Sequence, residues 1–351
     1  MKKIICLLSA LMMLFSFASA ETINEKDEPV LNLFAWEGYI DYSTVIKPFE
    51  KETGIKVNYA TFSSNEEMFE KLSAVDGSSY DLVLSSDYML NTARLAGLMQ
   101  KFDPEIVTNY ANLNEGFTHQ FFDPDNEYVI PYTSGSPLIV YDPSVVDIDI
   151  KGYNDLWDPS LKDSLGLIDD ARVTIAMVLL SMHQSINTTD EAILAEAAEK
   201  LNALRENVHV LEYESLHNYL ISGDISVAYT FTPFVALALE ANPDLKVVWP
   251  EEGLGFGIDG LFIPSKAPHA KNANLFLEYL LRPEVAAVCA EWQAYCSPNE
   301  AAKEYLSDAY LNNPVFNGIY ERMGDLEYAM NLAPEDEQKF QDIWTTFKLS
   351  L

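Results

Sequence analysis

The sequence predicts an α/β fold of two lobes, each assembled from segments that are not contiguous in the chain. Three observations carry that expectation. A length of 351 residues exceeds what a single core usually fills, about 250 to 300 residues. Apolar runs with strand character alternate with amphipathic stretches from residue 30 onward, the order that builds a largely parallel sheet. The stretch VIPYTSGSPLIVY at 129–141 holds two extended apolar runs about a Ser/Gly break, as chain passing from one lobe to the next would. With 48% apolar and 12% aromatic residues there is material for substantial cores, and disorder is excluded.

The chain opens with Lys2 and Lys3, an apolar run at 4–18, and Ala18-Ser19-Ala20 ahead of Glu21. A short basic region, an apolar core and small residues at alternate positions make a secretory leader, so residues 1–20 are expected to be removed on export. The run is shorter than the roughly 20 residues that span a bilayer, and no later stretch is apolar enough to do so. Cys6 lies inside the leader, which leaves Cys289 and Cys296. An oxidising compartment lets them pair if a helix ends between them; two small buried side chains is the other reading.

Residues 30–36 are nearly all apolar, as in a strand covered on both faces. Ser43 is expected to cap a helical stretch ending at Gly54, with a second strand at 55–59. Ser64 and Glu67 read as a capping box, followed by the apolar stripe Met68, Phe69 and Leu72. A third strand at 81–84 leads into a helix running from Asp87 toward Gly97. Thr188 and Glu191 read as a second capping box, opening a helix that reaches Asn207 with Leu194, Leu201 and Leu204 on one face. The turn Ser222-Gly223-Asp224 leads into a strand at 225–229. Residues 246–249 form another strand, and 261–263 read as the return crossing. Pro334 and a cluster of acids start a C-terminal helix with Phe340, Ile343, Trp344 and Phe347 at helical spacing. The lobes are accordingly expected at 29–134 with 260–305, and at 135–259 with 306–351.

Acidic side chains number 54 against 22 basic, a net charge of −32. Without the two leader lysines, 20 basic residues and a charge of −34 remain. That field repels phosphates, so nucleic-acid binding is excluded. Gly255-Phe256-Gly257-Ile258-Asp259-Gly260 matches a dinucleotide fingerprint by letter, but an extended run follows it where a phosphate-binding helix is required. Neither a nucleophile elbow, a zinc-protease helix nor a P-loop occurs, and the five histidines are scattered. Nothing in the sequence points to catalysis, a cofactor or a metal.

What rises above background is a set of aromatic and acidic residues at strand ends. Trp36, Glu37 and Tyr39 follow the first strand, and Ser86, Asp87 and Tyr88 the third. Asp169 and Asp170 precede a helix, Tyr229 ends a strand, and Asp259 lies beside the second crossing. Ligands of open α/β sheets sit beyond the carboxyl ends of the strands. Aromatic faces with carboxylates suit an organic cation. Each ring face contributes about 0.5 to 2 kcal/mol, and each charge-assisted hydrogen bond roughly 1.5 to 3 kcal/mol.

These residues sit in segments that resemble the periplasmic spermidine/putrescine-binding proteins of ABC importers. The likeness runs through FAWEGYI, KETGIKVNYATFSSNEEM, YDLVLSSDY, FDPDNEYVIPY, DLWDPSLKDSLGLIDDAR, VVWPEEG and LLRPEVA, nearly the whole mature chain. The resemblance implies a type II periplasmic binding fold, crossovers near residues 134 and 259, and a cleft that closes on its ligand. It makes Trp36 and Tyr39 aromatic cleft residues and assigns Ser86 and Tyr88 to the alkyl chain and one amine. Asp170 and Asp259 become carboxylates for amines, Tyr229 stands where many members have Trp, and Tyr295 matches a family Tyr.

Departures from the family pattern bear on the substrate. Gly38 replaces an acid, with Glu37 one position earlier; Val173 replaces a Glu; Gly257 replaces an aromatic that stacks on the chain. Asp87 stands where the family has a small or hydroxyl residue, and either restores a charge or caps the helix that begins there. These changes widen the cleft relative to a spermidine site. The expectation is a monomeric periplasmic receptor that takes a small cationic amine (putrescine, spermidine or a relative) and passes it to a membrane ABC permease, without chemistry. The rival expectations are an amine sensor that signals through a membrane receptor and a receptor for another organic cation.

Overall fold

A computed structural model describes residues 28–322 and 326–351; the expected leader at 1–20 lies outside the described residues. Among the described residues the strands form one sheet of seven and one of five. The chain first lays down β1 (Val30–Trp36), β2 (Lys56–Phe62), β3 (Leu82–Ser86), β4 (Met99–Gln100) and β5 (Val129–Gly135) in the larger sheet. It then builds the smaller sheet from β6 (Pro137–Tyr141), β7 (Leu165–Leu167), β8 (Val208–Leu211), β9 (Val227–Phe231) and β10 (Lys246–Val248). Finally β11 (Leu254–Pro264) and β12 (Leu326–Tyr328) return to the larger sheet. The spatial orders are β12-β11-β3-β1-β2, with β4 and β5 also on β11, and β10-β6-β9-β7-β8.

Helices cover the sheets: α1 (Lys47–Thr53), α2 (Asn65–Ala74), α3 (Asp87–Leu95), α4 (Ala171–Ser181), α5 (Glu191–Ala203), α6 (Leu216–Ser222), α7 (Thr232–Ala241), α8 (Ala270–Leu280) and α9 (Pro283–Gln293). β1 runs parallel to β2 and β3, which explains its apolar sequence: Leu31, Leu33 and Ala35 pack on one face and Phe34 on the other. Parallel pairing also brings the carboxyl ends of β1 and β3 together, so the loop after Trp36 and the turn after Ser86 open on one side. Asp81, fully buried, ties this layer down by accepting from the Asn32 amide at 2.7 Å and from the His269 amide at 2.7 Å.

Two expected helix caps are corrected. Asp41, not Ser43, caps the first helical segment: its Oδ2 accepts from the Thr44 amide at 2.7 Å, and a π turn at Tyr42–Ile46 precedes α1. Asp190, not Thr188, caps α5, accepting from the Ala192 and Ile193 amides at 2.8 and 3.2 Å. Ser43 falls inside the turn that Asp41 immediately precedes, and Asp190 stands two residues nearer α5 than Thr188; at each N-terminus the helix dipole favours the carboxylate. Ser64 does cap α2, bonding the Glu67 amide at 3.1 Å, while the Glu67 carboxylate reaches back to Ser63. Gly54 ends α1 with φ of +76°, a conformation that favours glycine.

The first crossing falls between Gly135 and Pro137 and the second between Val248 and Leu254. β11 belongs to the larger sheet along its whole length, so the return lies ahead of residues 261–263. The glycine-rich stretch from Gly255 to Gly260 is extended because β5 pairs with it over Gly257 to Phe262. The C-terminal helix, Pro334–Lys348, packs on α4 and α5 through buried Phe340, Trp344 and Phe347, each contributing about 1.5 to 3 kcal/mol. No disulfide joins Cys289 to Cys296: both are buried thiols, in cores on opposite faces of the larger sheet. No helix among the described residues is long and apolar enough to cross a membrane.

Candidate functional site

The carboxyl ends of β1 and β3 meet β11 at a pair of carboxylates, Asp87 buried and Asp259 half-buried. Asp259 lies opposite Ser86 in the β3–β11 ladder, and the Tyr39 hydroxyl donates to its Oδ2 at 3.0 Å. Burial holds the Asp259 carboxyl above its ordinary range, against the opposing hydrogen bonds from Ser86 and Tyr39. Asp87, only 3% exposed, accepts from the Tyr88 amide at 2.7 Å and the Ile258 amide at 3.4 Å. Burial pushes it up to about 8, the Tyr88 amide opposes that, and the Asp259 charge adds to it. Asp87 therefore ties the first turn of α3 to β11 and also places a second acid beside Asp259. Among the described residues no cation pairs with either carboxylate.

Aromatic rings wall this end. Tyr39 lies 6.4 Å from both Trp36 and Tyr295, and Trp36 packs 4.4 Å from Phe62. The Trp36 indole N–H is buried with no acceptor. Tyr295 rests directly on Gly135: a β-carbon there would stand 2.6 Å from the ring, so any larger residue would lift it. Burial, then the charge of Asp259, raises the Tyr39 hydroxyl, and burial, Asp259 and Tyr213 raise that of Tyr295.

The smaller sheet contributes the opposite wall. Asp170 caps α4, accepting from the Val173 amide at 2.9 Å. Burial raises its carboxyl, while amide hydrogen bonds from Val173 and Arg172 and the Arg172 charge oppose the rise. Tyr213, just past β8, faces open space at 45% exposure. Its hydroxyl is pushed up to about 12 by burial and then by the charges of Asp170 and Asp259 together. Tyr213 thus feels the charges of carboxylates from both lobes, and the Phe231 ring at the end of β9 lies 5.6 Å from it. Neither ring was expected from the sequence. The signal was the strand-end rule itself, hidden because VHVL at 208–211 was not read as a strand.

The remaining expected residues lie elsewhere. Glu37 is exposed. The Tyr88 hydroxyl is taken up by α2, accepting from Asn65 at 3.0 Å and donating to Glu66 at 3.1 Å. Tyr229 is 1% exposed and packs edge-on against Tyr153 at 5.8 Å, beneath Phe231 on the same strand face. Asp169, next to Asp170, already accepts from Lys348 at 2.9 Å and Trp344 at 3.0 Å. The structure brings together Trp36, Tyr39, Ser86, Asp87, Asp259 and Tyr295 on one side, with Asp170 across from them.

Two sheets linked by crossings, with acids and rings gathered at strand ends, are the architecture of a two-lobed solute-binding protein. The chain belongs to the family of bacterial extracellular solute-binding proteins, whose model matches residues 44–317. It is 36% identical over 289 residues to the spermidine/putrescine-binding periplasmic protein of Salmonella typhimurium, covering 82% of this chain and 83% of that one. To the putrescine-binding periplasmic protein SpuD of Pseudomonas aeruginosa it is 30% identical, with 92% of each chain covered. Among solved structures it is similar to the spermidine/putrescine ABC transporter substrate-binding protein PotD of Streptococcus pneumoniae. There the TM-score is 0.83 at 32% identity, covering 92% of this chain and 99% of that one. The fold expected from the sequence, a two-lobed type II periplasmic binding protein, is the fold found.

Proposed function

We propose that this chain is the periplasmic receptor of an ABC importer and takes a polyamine, putrescine or spermidine or a close relative, into the cleft between its lobes. One observation carries the reading: Asp87 and Asp259 are crowded, partly or wholly buried and made weaker acids than usual by that burial, with no described cation to neutralise them. Leaving carboxylates in that state is costly unless a cation arrives. An ammonium at Asp259, boxed by Tyr39, Tyr295 and Trp36, and a second toward Asp170 and Tyr213, bridges the lobes. The bridge exists only when the lobes are shut, so the ligand's differential contacts drive closure about the two crossings. The relatives' names support this reading, as does the exported leader expected at 1–20. A ligand that binds only the native state raises its stability, so a thermal-shift screen of diamines, triamines, amino acids and quaternary ammonium compounds tests the proposal. Stabilisation by linear polyamines is the expected result; stabilisation by neutral or anionic solutes alone would refute it.

A further inference from the structure

Gly257, beside Asp87, adds a feature to the cleft that the amine reading alone does not use; the inference rests on that reading. Gly257 and Asp259 are two residues apart on β11 and therefore share a face, and Gly257 lies opposite Gly135 of β5. A β-carbon built on Gly257 would meet, beyond its chain neighbours and among the described residues, only Asp87 Oδ2, at 4.0 Å. The Tyr295 ring, seated on Gly135, borders the same open space. Asp87 Oδ1 is well held by the Tyr88 amide at 2.7 Å, but Oδ2 accepts from the Ile258 amide only at 3.4 Å, long for such a bond. A buried, weakly held carboxylate oxygen therefore looks into an unfilled space between an aromatic face and a second carboxylate. The titratable groups around Asp87 are Asp259 on β11, Tyr328 on β12 and Tyr88 on its own helix; none is a cation.

We propose that Asp87 and Gly257 form a specificity subsite for a planar cationic head group, a guanidinium, at the Asp259 end of the cleft. A primary ammonium is compact: it satisfies Asp259 and leaves the space over Gly257 unfilled. A guanidinium is broader, presents paired N–H donors on its edges to two carboxylates, and stacks flat on an aromatic ring. The ligand class is then an aminoalkylguanidine, its distal ammonium directed at Asp170.

Isothermal titration of the full mature chain with 4-aminobutylguanidine and with 1,4-diaminobutane isolates the head group, because the two share a four-carbon spacer. The wild type is expected to favour the guanidine by about tenfold or more. Gly257→Trp fills the space, and Asp87→Asn removes the charge while keeping an acceptor for the amides. Each is expected to erase that preference, and Gly257→Trp, which keeps both carboxylates, to leave diamine affinity within about threefold. The guanidine should also displace a proton from Asp87, so titrations at pH 7 in buffers of different ionisation enthalpy should report release of about one proton, lost in Asp87→Asn. A wild type that binds the diamine as well as the guanidine overturns the proposal while sparing the amine receptor, whether or not either variant folds. Binding of neither compound, nor of any polyamine, overturns both.

Discussion

The Tyr39 hydroxyl donates to Asp259 Oδ2 at 3.0 Å, joining the loop after the first strand to the carboxylate of β11, 220 residues away. That bond orients Asp259 in an acceptor position without neutralising it, since a phenol supplies no positive charge. Asp259→Asn is expected to weaken putrescine or spermidine binding by about tenfold to a hundredfold, the worth of a charge-assisted hydrogen bond. Tyr39→Phe should cost less, because the charge stays and only its positioning is lost. Calorimetric titration of the two variants checks the order; equal losses would mean that the tyrosine itself is the main contact.

Tyr213 separates binding from folding. Its ring is 45% exposed, so Tyr213→Ala should change stability by no more than about 0.5 kcal/mol. The loss of an exposed ring whose hydroxyl feels the charges of Asp170 and Asp259 should still weaken amine binding by about 2- to 30-fold, the range of a cation–π contact. Denaturant midpoints and titrations on the same preparation check both halves.

Tyr229 is expected to behave in the opposite way. At 1% exposure and packed on Tyr153, Tyr229→Ala leaves a cavity and should cost about 3 to 5 kcal/mol of stability. Amine affinity of the protein that remains folded should stay within about threefold. A large loss of affinity at unchanged stability would move Tyr229 into the cleft lining.

The raised acids make a pH dependence with a definite sign. In the ligand-free protein Asp87 keeps its proton up to about 8, whereas an unfolded Asp releases it near pH 4. The folded state therefore binds the extra proton between those values, and its stability falls as pH rises through that window. Asp259 and Asp170, shifted the same way, add to the fall. Thermal unfolding without amine should show a midpoint that declines from pH 5 to 8, a shallower decline in Asp87→Asn, and a flatter profile with saturating spermidine.

Much of the fold was legible because its signals are local. The all-apolar β1 announces a doubly covered parallel strand, Gly54 ends a helix, and the stripe of the C-terminal helix is core. What was not legible depended on competition or depth. Ser43 and Thr188 are plausible caps until Asp41 and Asp190 prove to stand immediately ahead of the first helical residue. Tyr229 and Phe231 share a strand face, and alternation does not say which lies deep and which reaches the cleft. Asp169 and Asp170 are neighbours in sequence, yet only tertiary packing gives Lys348 to one and leaves the other toward the cleft. The run from Gly255 to Gly260 matches a dinucleotide fingerprint by letter, and only its pairing with β5 shows it to be strand.

The most direct test of the central claim is the thermal midpoint of the mature protein at pH 7 with and without spermidine, alongside an Asp87→Asn/Asp259→Asn double variant. At about a hundred times the dissociation constant, binding adds about 2.7 kcal/mol. For a chain of this size that should raise the wild-type midpoint by roughly 4 °C. The double variant should show little or no shift. An equal shift in both proteins, or none in either, would contradict the claim that unpaired cleft carboxylates are what hold the amine.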